Sequence, residues 1–243
     1  MIRIQTFIII VWTVLDTIVM GTLATLASFL DPKGNTSHLV ARAWARSILA
    51  VSRIKVTVDG LSNMDPSKSY IFMSNHQSNF DIPVLLAHLR VQFRWLAKAE
   101  LFKIPIFGRG MRGAGYISID RSNRRLAIES LKEAGRSIQK GASVMIFPEG
   151  TRSLDGNIRP FKKGGFILAI EAGVPIVPVI IHGTYPIMPK KRLWVKPGHV
   201  LLEIQEPVDT TPYTRNTKDD LTEKVRTIIC DSFEKGKQDE SGC

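Results

Sequence analysis

Phe7 to Leu30 is a run of 24 residues that carries one charge, Asp16. As a helix it spans about 36 Å, more than the hydrocarbon core of a bilayer. Thirteen of its residues are Ile, Leu, Val or Phe. At about −0.5 kcal/mol each they outweigh the roughly 3 kcal/mol that Asp16 adds near the middle. Insertion wins that balance. The run is too long for the core of a cleaved signal peptide, and no small-residue cleavage site follows it. The other place for such a helix is the buried core of a soluble protein.

Asp31-Pro32-Lys33-Gly34-Asn35 reads as a turn. After it, Leu39, Val40, Ala43, Trp44, Ile48, Leu49 and Val51 give an amphipathic helix over 37–53, with Arg42, Arg46 and Arg53 on its other side. Such a helix lies at an interface rather than across hydrocarbon. Basic residues crowd the chain after residue 33, so charge bias places the body on the cytoplasmic face of a membrane, the inner membrane in a bacterium. Residues 1–53 are therefore expected to form a two-helix membrane anchor, as a single span or as a hairpin dipped into one leaflet. The hairpin is preferred, because Asp16 could then meet an arginine of the return helix.

From Ile54 the texture changes. Short apolar runs at 54–58, 70–73, 93–97, 116–119, 143–147, 176–181 and 200–204 alternate with helical patterns at 79–89, 123–139, 161–172 and 217–235. Alternation of this kind predicts an α/β domain over 54–243, a mixed and mostly parallel sheet flanked by helices. Ligands of such folds sit beyond the carboxyl ends of the strands.

The chain's net charge of +11 calls for a polyanionic partner: nucleic acid, anionic lipid or a phosphorylated small molecule. Aromatic stacking platforms for nucleic acid are not evident, which leaves lipid and phosphate. Two cysteines, Cys230 and Cys243, form neither a disulfide framework nor a zinc spacing.

Asn75-His76-Gln77-Ser78-Asn79-Phe80-Asp81 follows the strand at 70–73. With His76 in the loop and Ser78 or Asn79 capping the next helix, Asp81 falls in the first turn and folds back onto the imidazole. A carboxylate on one ring nitrogen leaves the other to take a proton. That is the base and its orienter, without a serine or cysteine nucleophile beside them. Backbone N–H groups near Phe80 are candidate oxyanion donors.

A second motif, Phe147-Pro148-Glu149-Gly150-Thr151-Arg152-Ser153, also follows a strand. Pro148 and Gly150 force a tight turn in which backbone N–H groups can approach a ligand. Glu149 is suited to accept from a substrate hydroxyl, and Arg152 offers phosphate a planar fork of donors. Lys98-Ala99-Glu100-Leu101 and Ile119-Asp120-Arg121 lie in a stretch, Arg90 to Arg125, with nine Lys or Arg against two acids. Lys98 and Arg121 stand at strand ends, facing a cleft, and are expected to bind phosphate. The remaining basics, Lys162, Lys163, Lys190, Lys191 and Arg192 among them, are expected to hold the body against anionic headgroups. Val174-Pro175-Ile176-Val177-Pro178-Val179 reads as core, with an edge strand or an acyl-chain wall as alternatives. His38, His88, His182 and His199 have no acidic partner at a telling spacing.

These stretches, in this order, resemble the glycerolipid acyltransferase family, most closely its bacterial 1-acyl-sn-glycerol-3-phosphate (lysophosphatidic acid) acyltransferases. The likeness covers roughly residues 55–185. The family's His-x4-Asp motif maps onto His76 and Asp81, its Lys-x-Glu-Leu…Ile-Asp-Arg stretch onto Lys98 through Arg121, its Phe-Pro-Glu-Gly-Thr-Arg motif onto Phe147–Arg152, and Val-Pro-Val onto Val177–Val179. The resemblance implies a glycerol-3-phosphate acyltransferase-like fold. It implies catalysis by His76 and Asp81, substrate phosphate held by Lys98, Arg121 and Arg152, and further substrate contacts from Glu149, Gly150 and Thr151. The reaction implied is acyl transfer from acyl-CoA or acyl-carrier protein to the 2-hydroxyl of lysophosphatidic acid, giving phosphatidic acid for phospholipid synthesis, with no metal or other cofactor. Another lysophospholipid or a lyso-aminolipid is the competing acceptor. More remote are a metal-dependent phosphohydrolase using His76, Asp81, Asp120 and Glu149, and a non-catalytic basic membrane-surface module.

Overall fold

The computed structural model describes residues 2–120 and 122–241. Its centre is a sheet of β1 (Ile54–Asp59), β2 (Ile71–Ser74), β3 (Phe93–Lys98), β4 (Ile117–Ile119), β5 (Ser143–Ile146), β6 (Ile176–His182) and β7 (Gly198–Ile204). They are ordered β1-β7-β6-β2-β5-β3-β4. Every neighbouring pair is parallel except β6 with β7. Parallel neighbours need crossovers, and helices supply them on both faces. The helices are α1 (Ile2–Leu30), α2 (Asn35–Val51), α3 (Asp81–His88), α4 (Phe107–Gly113), α5 (Arg124–Gln139), α6 (Gly164–Ala172), α7 (Thr184–Ile187) and α8 (Lys218–Ser241).

All seven expected strands are present, and the α/β architecture with a mostly parallel sheet is the one the alternation implied. Strand period two divides the core. Phe72, Val179 and Ile181 point to the side of α2 and α3, while Ile71, Met73 and Ile180 point to the side of α5, α6 and α8. The run at 174–179 is neither an edge nor an exposed wall, because β6 lies inside the sheet and is buried at every residue. Pro178 is tolerated there because the antiparallel pairing with β7 begins one residue later, Val179 opposite Ile204. Helix α4 escaped the sequence pattern because glycine fills three of its seven positions.

Helix α1 lies against the body along its length. Thr6 accepts the Val195 backbone N–H at 3.0 Å, and Trp44 donates its indole N–H to Thr17 at 3.0 Å. Ser37 donates to the Ala24 carbonyl at 2.8 Å. Small residues bring α1 and α4 together: a Cβ on Gly113 would stand 2.9 Å from that of Ser28, and one on Gly110 3.2 Å from the Gly21 carbonyl oxygen. Phe7, Ile8, Val11, Leu15, Val19 and Leu26 remain exposed on the outer side.

Two expectations for this region are corrected. Asp16 is buried beside Ser47 and pairs with no arginine among the described residues. In α2 the inward stripe is His38, Arg42, Ala45 and Leu49, while Leu39 faces out. Position 42 is one helical turn from 38 and shares its face, so packing on α3 takes the arginine inward with the apolar residues.

Candidate active site

Strands β2 and β5 are neighbours in the sheet, so the loops that leave their carboxyl ends are neighbours too. One carries His76 and the other Glu149. Asn75, the residue after β2, mimics one more strand residue: its side-chain amide donates to the Ile181 carbonyl at 2.9 Å and accepts the Ile181 N–H at 2.8 Å. The backbone then turns, and His76 leaves the sheet plane.

Asp81 Oδ2 lies 2.7 Å from Nδ1 of His76. The same oxygen accepts the backbone N–H groups of Gln77 at 2.7 Å and Ser78 at 2.9 Å. The carboxylate, with its residue fully buried, is thus built into the loop it orients, and His76 Nε2 has no protein partner among the described residues. Helix α3 starts one residue later than an Asn79 cap predicts and two later than a Ser78 cap: Phe80 is the N-cap, with no side-chain cap bond. Ser78 instead accepts the Phe80 N–H at 3.2 Å, so that donor is already engaged and is not an open oxyanion contact.

Glu149 has a structural role that its motif did not indicate. One carboxylate oxygen accepts the His76 N–H at 2.7 Å and the other the Arg159 N–H at 2.9 Å. Its residue is 4% exposed. Burial pushes its pKa up to about 7, against the pull of those two N–H bonds. Glu149 is therefore a clamp between loops, reinforced by Ser153 N–H to the His76 carbonyl at 2.8 Å and Gln77 to the Gly156 carbonyl at 2.7 Å. Gly150 holds φ at +75°, where an added Cβ would be strained and would crowd the Lys162 side chain.

A cavity of about 900 Å³ opens in front of His76. Lys98, Glu149, Gly150, Thr151 and Arg152 line it, as the motifs implied. Lys98 is paired with Glu100 at 3.0 Å in an exposed position. Arg121 lies outside the described residues. Three cations assigned from sequence to the membrane surface, or not singled out, also line the cavity: Lys162, Lys190 and Arg159. Lys190 donates to Thr151 Oγ1 at 3.0 Å and to the Arg152 carbonyl at 3.1 Å. Burial and then the charges of Arg152 and Arg159 lower its pKa. The available signal was the density of basic residues from Arg152 to Lys163, directly after a strand-end motif. Away from these cations the wall is apolar, with Met20, Gly21 and Ala24 from α1, Ala41 and Trp44 from α2, and Leu101, Phe107 and Met111 beyond them.

Asp120 takes its hydrogen bonds from Ser122, away from the cavity. Among the described residues no three His, Cys, Asp or Glu side chains are grouped as a metal site needs. His182 does have an acidic partner, Glu203 at 3.1 Å, which β6–β7 pairing supplies across 21 residues. Buried His38 bonds the Tyr116 hydroxyl at 3.0 Å, and burial with nearby Arg94 and Arg42 drops its pKa to about 3.

The acyltransferase family model matches residues 55–182. A chloroplast protein of Brassica napus named 1-acyl-sn-glycerol-3-phosphate acyltransferase is 41% identical over 63% of this chain and 44% of its own length. An Arabidopsis thaliana protein of that name is 36% identical over 81% of this chain and 54% of its own. The chain thus spans about half the length of these plant relatives. A Haemophilus influenzae protein of that name is 31% identical over 84% of this chain and 85% of its own length. A crystal structure titled as the 1-acyl-sn-glycerophosphate acyltransferase PlsC of Thermotoga maritima superposes with a TM-score of 0.83 at 29% identity, covering 98% of each chain.

Proposed function

The chain belongs to the acyltransferase family, and on that premise we propose that it transfers a fatty acyl group from a thioester to the 2-hydroxyl of 1-acyl-sn-glycerol-3-phosphate. The observation that carries this reading is His76, held through Nδ1 by Asp81 and facing a cavity with Nε2. His76 Nε2 takes the proton of the acceptor hydroxyl as its oxygen attacks the thioester carbonyl carbon. Asp81 fixes the tautomer and stabilises the imidazolium. The tetrahedral adduct then collapses, the carbon–sulfur bond breaks, and the imidazolium returns the proton to the leaving thiolate. The acceptor oxygen is the nucleophile, so no protein nucleophile is needed. Either acyl-CoA or acyl-carrier protein fits as donor, and no metal or other cofactor enters the scheme.

Arg152, Arg159, Lys162 and Lys190 form the phosphate end of the cavity, with Lys98 at its lip and Arg121 retained as a candidate from its motif. Fixing the phosphate fixes the hydroxyl against His76, a source of several kcal/mol of barrier lowering. The apolar wall suits acyl chains. We read residues 1–53 as the membrane-holding part and 54–243 as the acyltransferase domain. Helix α1, long and apolar enough to cross a membrane, lies in one leaflet on the cytoplasmic side. A crossing helix would drag its body contacts, from Thr6 to Ser28, into hydrocarbon.

The test is purified, detergent-solubilised protein given a panel of lysolipid acceptors with each donor type, products read by mass spectrometry. Phosphatidic acid from lysophosphatidic acid, lost in His76→Ala, is the expected result. Turnover of a different lysolipid in preference moves the acceptor, and undiminished turnover in His76→Ala removes the mechanism.

A further inference from the structure

The segment 188–196 joins the candidate active site to α1. At its start Ser78, in the His76 loop, donates to the Met188 carbonyl at 2.9 Å, and Lys190 bonds Thr151 and Arg152. At its end the buried Val195 gives its N–H to Thr6 of α1, and Lys196 gives its N–H to the Ile187 carbonyl. Both ends are thereby fixed. Between them Lys191 takes a left-handed backbone conformation, φ 70°, that turns the chain outward. Leu193 is 74% exposed and Trp194 41% exposed, and the guanidinium of Arg192 sits 4.9 Å from the Trp194 ring centroid. Lys191, Arg192 and Lys196 are exposed around this apolar pair.

Leu193 and Trp194 are thus held outward, side by side, between two fixed ends. We propose that the Leu193-Trp194 tip is a second membrane contact, inserted among the headgroups of an anionic bilayer beside the α1 helix. Continuity carries the choice of occupant: the Thr6–Val195 hydrogen bond puts the tip against the end of α1 whose outer residues, Ile4, Phe7 and Ile8, are exposed and apolar. Charge supports it, since three cations ring the apolar pair and none of them has an ion-pair partner among the described residues. Tryptophan and leucine flanked by Lys and Arg are suited to the headgroup boundary, where the indole is half wet. The tip would hold the cavity mouth, through Lys190 and Ser78, at the level of the lipid phosphates. This inference rests on the reading of α1 as lying in a leaflet.

The experiment uses the full chain with Cys230 and Cys243 replaced by serine and an environment-sensitive dye on Leu193→Cys. Leu126→Cys on the exposed side of α5 is the control. Protein is mixed with vesicles of phosphatidylcholine alone or with phosphatidylglycerol. Expected are a blue shift and emission gain at position 193 in the anionic vesicles, weaker in the neutral ones, and no change at 126. In the unlabelled chain, the double variant Leu193→Ser, Trp194→Ser should partition onto anionic vesicles about tenfold more weakly. Cosedimentation without a shift at 193, or equal shifts in both vesicle types, overturns the tip contact and leaves the α1 reading standing. Failure of the unsubstituted chain to cosediment at all overturns both.

Discussion

The imidazole of His76 lies flat on the ring of Phe147, centroids 3.8 Å apart and planes 7° apart. Asp81 fixes the ring's edge and Phe147 its plane, so the imidazole is held in two independent directions before any substrate arrives. Phe147→Leu keeps the apolar volume and loses the plane. We expect kcat to fall roughly tenfold with little change in KM, since such ring pairs contribute about 0.5–1.5 kcal/mol beyond their buried area. Steady-state kinetics with thermal melts separates this from a folding defect.

Asp81→Asn can set its amide oxygen where Oδ2 accepts from Gln77, Ser78 and His76, and its NH2 where Oδ1 has no partner among the described residues. The hydrogen bonds survive while the negative charge is removed. The imidazole keeps its tautomer and loses the charge that stabilises the imidazolium. A loss of kcat on the order of 10³-fold or more is expected by analogy with triad enzymes. A residual rate within tenfold of wild type would remove Asp81 from the mechanism.

Glu149 sets a pH dependence of stability. Its folded-state pKa, about 7, lies above the ordinary value of 4.5. The associated stability is full below that ordinary value and declines as pH rises through about 7, by up to about 3 kcal/mol. Glu149→Gln cannot ionise, so its melting temperature should vary less across this window than that of wild type. Parallel curves for the two proteins would contradict the assignment.

Lys190→Met is expected to raise KM for lysophosphatidic acid about tenfold and leave kcat within about twofold, the pattern of a lost ground-state contact. An acceptor without phosphate should be nearly indifferent to the change. An equal loss with both acceptors would argue against a phosphate contact.

Gly108 carries a packing constraint. A Cβ there would stand 2.2 Å from the Phe102 carbonyl oxygen, so backbone must move. Gly108→Ala should lower stability by about 1–3 kcal/mol, as overpacking does, and shift the cavity wall formed by Phe107 and Met111. Denaturant melts check the first effect, and altered acyl-chain preference the second.

The sheet was readable because each strand is a short apolar run with turn residues at its ends, and His76 and Asp81 because five residues suffice to close their contact. What sequence could not supply was partnership across the fold. The clamp made by Glu149 is visible only once the β2–β5 adjacency brings the His76 backbone to it. Lys162 and Lys190 look like surface charge until two loops fold over one rim. Arg42 reads as the wet side of an amphipathic helix, yet the face that packs on α3 is chosen by its neighbours at one-turn spacing. The glycines of α4 suppressed a helix signal while making its contact with α1 possible.

Thr17, Met20, Gly21 and Ala24 of the first helix form one side of the chamber in which the reaction is placed. A version pared back for handling in water would arrive with that chamber breached, and its silence in an assay would report missing masonry rather than missing lipid. Solubility here has to be engineered on the helix's outward residues, leaving its inward ones untouched.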